Sequence, residues 1–423
     1  MKIAIIGAGS GYMPGLIRGL LHRADDLAGT ALSFHDIDAE HLSIMTRLAR
    51  AMIAARGAGF TVSAHTDLKA AVDGASYVLT TFRPGGLAAR HLDESIPLRH
   101  GVVGQETAGP GGFLMALRSV PVLLDIVAAA DPGAWIVNYT NPTNIVTDAV
   151  ARTTGARIIG LCDQAIGDTE MWAGLLGLPA AGLEADWMGL NHATWAQRLR
   201  VDGRELDLPA LLDDLEVPGG GATPWRDPSR MAELAKTLGF LPNSYAKYYF
   251  FHDEVVEELR RRGTTRAQDV LAMLPGYYAQ VAAEADEPDP DPSRERGGGE
   301  HGEFAVDVIC ALHRDEGRRM IVNTRNNGAI SSLDPDAIVE VPALVGRSGP
   351  VPLTMGPLPA PVRGLTQAIH AYERLASEAA VSGDRRTALQ ALMAHPFVRS
   401  KHTAEKILDE GLAAHRDHLP QFT

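Results

Sequence analysis

The sequence predicts an α/β protein built on a Rossmann-type, doubly wound parallel sheet, followed by a second, mainly helical α+β domain. Two observations favour this fold. Short apolar segments typical of strands alternate with amphipathic helical stretches in the N-terminal part of the chain. The first of these segments also ends in a glycine-rich turn that leads into a helix.

The first predicted strand, Lys2 to Ile6, runs into Gly7-Ala8-Gly9-Ser10-Gly11, and a helical pattern begins near Pro14. Free backbone N–H groups and the helix dipole at such a turn attract phosphate, and glycines let a pyrophosphate approach the backbone. Tyr12 stands where the common fingerprint has its third glycine. The turn by itself is therefore compatible with either a dinucleotide site or a purely structural role.

The second predicted strand, Ala31 to Phe34, brings an acidic residue to the position that usually holds a ribose. Asp36 follows this strand, and it would bind the 2′-hydroxyl of NAD and repel the 2′-phosphate of NADP. The alternative role is a helix N-cap, for which Asp38 is better placed. We therefore expect Gly7, Gly9, Ser10, Gly11 and Asp36 to bind NAD.

Three further predicted strands end in polar residues. Ser76–Phe82 is followed by Arg83, Ala134–Tyr139 by Asn141, and Arg157–Leu161 by Cys162 and Asp163. In doubly wound folds, ligands bind at the loops that follow the carboxyl ends of the strands. An arginine beside glycines suits an anion, whereas Asn141 before a proline is also ordinary turn chemistry.

Cys162 and His192 could together hold a divalent transition metal. Thiolate and imidazole are suitable ligands, and the open positions of the ion could chelate a substrate. Each residue has a simpler interpretation, Cys162 as a small buried apolar side chain and His192 as a structural histidine. The sequence contains no local signal that brings the two together.

Composition excludes several classes of partner. Lys and Arg number 39 and Asp and Glu 52, which gives a net charge of −13. Such a surface repels nucleic acid and anionic lipid, and no apolar run approaches the roughly 20 residues that cross a bilayer. With only two cysteines, the chain has no disulfide framework, and we expect a cytoplasmic protein.

Beyond these patterns, a series of motifs in order along the chain resembles glycoside hydrolase family 4, the NAD- and divalent-metal-dependent glycosidases. The motifs are Gly7–Pro14, Arg83–Gly86, Gly104–Gly112, Asn138–Pro142, Gly160–Asp163, Gly189–His192, Pro242–Tyr249, Gly263–Ala267 and Asn323–Gly328. The Arg83 loop, the Gln105 motif and Val339–Pro342 are most similar to the 6-phospho-β-glucosidase branch. The resemblance covers nearly the whole chain and implies a lactate/malate dehydrogenase-like fold.

The resemblance implies a mechanism and a role for each candidate residue. Cys162 and His192 would hold Mn²⁺ or a similar ion, while Asn141 and Asn191 would bind the sugar. NAD would oxidise C3, a base would remove the proton on C2, and the aglycone would leave by elimination before water adds and the ketone is reduced. Tyr245 is the expected base, with Tyr248 as the second candidate.

The resemblance also suggests how the substrate is selected. Arg83 and Arg266 would bind a 6-phosphate, which Ser10 would also reach. Asp163 departs from the β-specific branch and is typical of the 6-phospho-α-glucosidases, in which an acid protonates the leaving oxygen. The anomeric preference thus stays open between 6-phospho-β- and 6-phospho-α-glucosides.

The predicted organisation is an NAD-binding domain over residues 1–167 and a domain for substrate, metal and oligomerisation over 168–423. The family suggests a dimer or tetramer that acts on a phosphorylated disaccharide or glucoside. Two other functions are kept as alternatives, a plain NAD-dependent 2-hydroxyacid dehydrogenase and an NAD-sensing binding protein. The segment Ser244–Arg262 is predicted to be a helix that carries the candidate tyrosines to the site.

Overall fold

The computed structural model describes residues 1–219, 227–290 and 302–422. The strands in these ranges are β1 (Lys2–Ile6), β2 (Ala31–His35), β3 (Thr61–His65), β4 (Tyr77–Thr80), β5 (Trp135–Asn138), β6 (Arg157–Gly160), β7 (Leu183–Leu190), β8 (Ala193–Val201), β9 (Arg204–Glu205), β10 (Leu241–Pro242), β11 (Arg318–Arg325), β12 (Ile338–Gly346) and β13 (Gly349–Pro352). The helices are α1 (Met13–His22), α2 (Ala39–Arg56), α3 (Leu68–Val72), α4 (Gly86–Arg99), α5 (Gly109–Ala129), α6 (Thr143–Thr153), α7 (Gln164–Leu176), α8 (Leu208–Asp214), α9 (Pro228–Leu238), α10 (Ala246–Phe250), α11 (His252–Arg262), α12 (Arg266–Glu284), α13 (Glu303–Arg314), α14 (Ala360–Ser382), α15 (Arg385–Ala394) and α16 (Lys401–Ala414).

Six parallel strands form the predicted doubly wound half of the sheet, in the order β3-β2-β1-β4-β5-β6. This is the 3-2-1-4-5-6 order of dinucleotide-binding folds, so the predicted fold class is confirmed. The predicted strands lie where the sequence placed them, with ends that differ by a residue or two. The exception is β3, which the sequence analysis missed because Thr61–His65 is polar and mostly exposed.

The sheet continues beyond β6 through antiparallel strands, in the order β6-β11-β12-β7-β8-β10. One sheet therefore runs from the nucleotide-binding half into the second half, and residue 167 lies just inside α7, which follows β6. The division into domains at this residue stays a prediction.

Two single-residue pairings position the candidate site, and the first of them joins the two halves of the sheet. Asn323 on β11 pairs with Gly160 on β6, and Glu340 on β12 pairs with both Asn323 and Gly189 on β7. These four residues form a row across the sheet. Because Cys162 and His192 follow Gly160 and Gly189 by two and three residues, the row brings the cysteine and the histidine to the same edge.

Helix α5 forms the centre of the larger core. It has 21 residues and is long and apolar enough to cross a membrane by composition alone. However, 61% of its most apolar window is buried inside the protein, and the helix carries the buried Arg118. This is the pattern of a core helix in a water-soluble protein, and it is weak evidence for a membrane span.

Candidate functional site

The glycine turn after β1 lies directly against Asp36. The N–H groups of Gly7 and Ala8 donate to His35 O, each at 2.9 Å, and Gly9 N donates to Asp36 Oδ2 at 2.8 Å. A Cβ atom on Gly9 would lie 2.8 Å from the same carboxylate oxygen, so a larger residue here would displace the Asp36 side chain. Asp36 is thus held beside the turn, whereas Asp38 is the residue that caps α2.

Two tyrosines of α12 hold the turn from the other side, and the sequence analysis missed both. Tyr277 donates its hydroxyl to Gly11 O at 2.9 Å, and Tyr278 donates to Gly9 O at 2.8 Å. The Tyr278 ring also stacks on His41, with centroids 3.8 Å apart. These two hydrogen bonds fix the carbonyl groups of Gly9 and Gly11, so α12 helps to hold the shape of the glycine turn.

The two predicted metal ligands face each other. Cys162 Sγ lies 3.5 Å from His192 Nε2. An ion bound at ~2.3 Å from sulfur and ~2.1 Å from nitrogen, with an angle between 90° and 109°, separates its two ligands by roughly 3.1–3.6 Å. The donor set and its spacing therefore fit one divalent metal ion.

The tight turn between β7 and β8 creates this geometry. His192 has a left-handed backbone with φ of 64°, and Gly189 has φ of 150°. A Cβ atom on Gly189 would lie 2.3 Å from Ala193 O. A glycine is therefore needed at the end of β7 so that the hairpin can close and turn the imidazole towards Cys162.

The protonation states of this pair are set by burial. Burial raises the pKa of the Cys162 thiol to about 12, with a further rise from the nearby Glu340 carboxylate and an opposing hydrogen bond from Asn191. Burial lowers the pKa of His192 to about 3. The imidazole is therefore neutral and able to bind a cation, whereas the thiol needs a cation beside it to become a thiolate.

Tyr245 lies against the ligand pair. Its ring stacks on the His192 imidazole, with centroids 3.9 Å apart and planes within 2°. Burial raises the pKa of Tyr245 well above 10, while a hydrogen bond between the Tyr245 and Thr107 side chains acts in the opposite direction. The Tyr248 ring contacts Tyr245 edge-on at 5.5 Å, and Tyr249 packs on Phe397 at 4.7 Å. The structure thus places Tyr245 next to the ligands and the other two tyrosines behind or beside it.

The segment that carries these tyrosines is two helices, so the prediction of one helix over Ser244–Arg262 is wrong in detail. Phe251 separates α10 from α11, with φ of −125° and ψ of 38°. Tyr248 to Phe251 are consecutive aromatic residues, which are weak helix formers, and their packing decides the backbone here.

A buried polar network fixes the loop that precedes Tyr245. Asp168 Oδ2 accepts from Ser244 N at 3.2 Å, and its Oδ1 accepts from Gln164 Nε2 at 2.8 Å. Gln164 also donates to Ser244 Oγ at 2.6 Å. Burial raises the pKa of Asp168 to about 6. Gln164 therefore helps to position the Tyr245 loop.

Arg83, one of the predicted anion-binding residues, is held by an acidic residue. Glu106 forms two ion pairs, one with Arg83 Nη1 at 2.5 Å and one with Arg90 Nη2 at 2.8 Å. Glu94 accepts from Arg90 Nε at 2.7 Å and from Ala267 N at 3.0 Å, which connects this cluster to the start of α12. Arg266 is the first residue of α12, so both predicted phosphate ligands adjoin one charged cluster.

Beneath the Arg83 loop, Arg118 forms a fully buried ion pair. Its Nη1 and Nη2 lie 2.8 and 2.7 Å from the two Asp93 carboxylate oxygens, and its Nε donates to Pro84 O at 3.2 Å. Although burial alone would raise it, hydrogen bonds from Arg118 and His415 hold the pKa of Asp93 below its usual value. This pair supports the loop that presents Arg83.

We expect Asp93→Asn to lower the free energy of unfolding by about 3–5 kcal/mol, because it leaves the Arg118 charge buried without its partner. Urea unfolding at pH 7 measures the change, and Asp131→Asn, at an exposed carboxylate, is the matched control. The contribution of Asp93 should be fully present above about pH 4 and decline as pH falls through its lowered pKa. A loss equal to that of the control would contradict this role.

The remaining predicted residues lie at the same edge. The Asn141–Pro142 peptide is cis, and Asn141 Oδ1 accepts from Thr143 Oγ1 at 3.3 Å. Asn191 Nδ2 donates to Glu340 Oε1 at 3.2 Å, and Asp163 precedes α7 without capping it through its side chain. Ser10 lies in the glycine turn, where its hydroxyl accepts from Tyr12 N at 3.4 Å. The roles assigned to these residues stay predictions.

In a comparison with known proteins, two models of the same family match consecutive parts of the chain. The model for the family 4 glycosyl hydrolases matches residues 2–178, and the model for their C-terminal domain matches residues 187–398. A probable 6-phospho-beta-glucosidase of Bacillus subtilis is 37% identical over 100% of this chain and 98% of its own length.

Solved structures agree with this result. The 6-phospho-beta glucosidase of Thermotoga maritima with manganese, NAD⁺ and glucose-6-phosphate superposes with a TM-score of 0.87, at 30% identity over 99% of each chain. A 6-phospho-alpha-glucosidase from gut microorganisms, with NAD and glucose-6-phosphate, gives 0.87 at 29% identity over 100% of each chain. Malate dehydrogenase of Plasmodium falciparum, at 13% identity over 90% of this chain and 98% of its own and a TM-score of 0.50, shows the likeness of the fold alone.

Proposed function

Because the chain belongs to glycosyl hydrolase family 4, we propose that it hydrolyses 6-phospho-β-glucosides with NAD and a divalent metal ion such as Mn²⁺. The observation that carries the proposal is the juxtaposition of Cys162, His192 and Tyr245. The sulfur and the imidazole nitrogen lie 3.5 Å apart, and the phenol stacks on that imidazole at 3.9 Å. Most glycosidases use a pair of carboxylates, and the NAD-dependent family is a recognised exception.

The chain's own residues divide the work between binding and proton transfer. Asn141 and Asn191 orient the sugar hydroxyls beside the Cys162 and His192 ligands, and Tyr245 removes the proton on C2. When bound, NAD takes and returns a hydride at C3, and the metal ion polarises the sugar's oxygens. His192 is buried, while Tyr245 and Cys162 are half-buried, so the contact of these groups with water is limited.

Arg83 and Arg266 bind the 6-phosphate in this proposal, and Ser10 approaches the same group. The protein as a whole carries a net charge of −13, so anion binding needs a local concentration of cations. Arg83 and Arg90 are paired with Glu106 and Glu94, so in this proposal Arg266, the first residue of α12, supplies the excess positive charge.

Asp36 is proposed to select NAD over NADP. We expect Asp36→Ala to weaken NAD⁺ binding roughly 10- to 100-fold, as the loss of a charged hydrogen bond predicts, and to reduce discrimination against NADP⁺. Isothermal titration with both nucleotides measures the change. Asp38→Ala is the control, since this neighbouring carboxylate caps α2. Equal losses of selectivity in the two variants would contradict the assignment.

A 6-phospho-α-glucosidase is the second candidate, since Asp163 directly follows Cys162 and could protonate an axial leaving oxygen. Hydrolysis of p-nitrophenyl α- and β-glucosides, each with and without a 6-phosphate, tests both proposals. We expect turnover of the phosphorylated β-glucoside. Preference for the phosphorylated α-glucoside would replace the first proposal by the second, and net accumulation of NADH would point to a dehydrogenase instead.

The family also supports a cytoplasmic dimer or tetramer. A phosphorylated substrate does not diffuse across a membrane, and a thiolate ligand needs reducing surroundings. Sedimentation equilibrium would measure the oligomeric state directly.

A further inference from the structure

We infer that Thr107 is a positioning residue that fixes the tautomer of His192, and that Gln105 fixes Thr107 in turn. The inference rests on the proposed metal site and deepens it. Thr107 and Gln105 lie in the segment between α4 and α5. Thr107 also shares a hydrogen bond with Tyr245, but the mechanism described above gives neither residue a role at the metal site.

The two neighbouring backbone N–H groups establish which atom of the Gln105 side-chain amide is the oxygen. Oε1 lies 2.6 Å from Thr107 N and 2.7 Å from Ala108 N. Both of these groups are obligatory donors, so the atom between them must be the amide oxygen. Gln105 is also buried, with 8% of its surface exposed, so its side chain is anchored by this turn.

The same oxygen determines the direction of the Thr107 hydroxyl. Thr107 Oγ1 lies 3.0 Å from Gln105 Oε1, and an amide oxygen can only accept, so the hydroxyl hydrogen points to Gln105. The lone pairs of Oγ1 are then the groups available to His192 Nδ1, which lies 3.1 Å away. We therefore assign the hydrogen to Nδ1 of His192, which donates to Thr107.

This tautomer leaves a lone pair on Nε2, the atom 3.5 Å from Cys162 Sγ. The opposite tautomer would present an N–H to the metal position and could not bind a cation there. Imidazole ligands of metals are generally oriented by a hydrogen bond from their second nitrogen, often to a carbonyl or carboxylate. Here the Thr107 hydroxyl has that role. It can accept the hydrogen bond from His192 only because it donates its own hydrogen to Gln105.

The experiment compares Thr107→Ser with Thr107→Ala in the full chain. The two differ only by the hydroxyl, so their comparison separates the hydrogen bond from the packing of the methyl group. Thr107→Val, which keeps the shape, is a second variant without the hydroxyl. Thr46→Val is the control for removing a buried threonine hydroxyl, because Thr46 Oγ1 donates to Leu42 O within α2, away from the site.

The readout is the Kd for Mn²⁺ alone, obtained from the electron paramagnetic resonance signal of free Mn²⁺, with thermal unfolding of each variant. Loss of such a second-nitrogen partner weakens metal affinity about 10- to 100-fold, which is the expected change for the Ala and Val variants. The Ser and Thr46→Val variants should stay within about threefold of the original chain.

Equal Mn²⁺ affinity in the Ser and Ala variants would overturn the role of Thr107 and leave the proposed metal site in place. If the original chain itself did not bind Mn²⁺, both the metal site and this inference would be overturned. Should the Val variant fold poorly, the comparison of Ser with Ala still decides the matter, because each is smaller than threonine and fits the same space.

Discussion

We expect Cys162→Ser to abolish Mn²⁺-dependent hydrolysis, with a fall in kcat/KM on the order of 10³-fold or more. A ligand bound directly to the ion should matter more than a residue that only orients a ligand, whose loss already costs roughly 10- to 100-fold in affinity. A serine hydroxyl is much more difficult to deprotonate than a thiol, so the variant lacks the anionic ligand that the thiolate supplies. Hydrolysis of the phosphorylated p-nitrophenyl β-glucoside, with titration of Mn²⁺ and NAD⁺, measures the loss.

The second cysteine supplies the matched control. Cys310 lies fully buried in α13, where it packs in the core below the nucleotide-binding half of the sheet. Cys310→Ala should therefore lower the unfolding temperature somewhat but preserve activity and Mn²⁺ binding. An active Cys162→Ser enzyme would contradict the metal assignment, and so would an equal loss of activity in both variants.

Local patterns were sufficient to predict the nucleotide-binding half of the fold. β1 is an apolar segment that ends in a glycine turn, and β2 is a mainly apolar segment that is followed by an acidic residue. Both signals lie within a few residues of the strands they define. The polar and mostly exposed β3 has no such signal, so its place at the sheet edge depends on pairing with β2.

The meeting of Cys162 with His192 could not be derived from local patterns. It depends on the pairings of Gly160 with Asn323 and of Gly189 with Glu340, which join strands far apart in the chain. Tertiary structure also creates the hydrogen bonds of Tyr277 and Tyr278 to the glycine turn and the ion pair of Arg83 with Glu106. The resemblance to a family named several of these residues, but only the fold supplies their geometry.

Tyr245, the proposed base, has a suitable position but an unfavourable pKa. Tyr245 is in position, stacked on His192, but burial raises its pKa well above 10, so at neutral pH the phenol alone is protonated. The hydrogen bond with Thr107 lowers this pKa but does not offset burial, and nearby positive charge can lower it further. A divalent cation held by Cys162 and His192 would lie next to the phenol, which makes the base dependent on the metal site.

We therefore expect Tyr245→Phe to lower kcat by about 10²- to 10⁴-fold, the usual contribution of a general base, while Mn²⁺ affinity changes little. The phenylalanine ring keeps the stacking contact with His192 and removes only the hydroxyl. In D₂O the original enzyme should place deuterium at C2 of the sugar, and the variant should do so at a proportionally lower rate.

The control is Tyr248→Phe, because the Tyr248 ring contacts Tyr245 edge-on at 5.5 Å. This variant should remain within about tenfold of full activity. A larger loss in Tyr248→Phe would transfer the role of base to Tyr248, and turnover without deuterium at C2 would exclude the elimination route altogether.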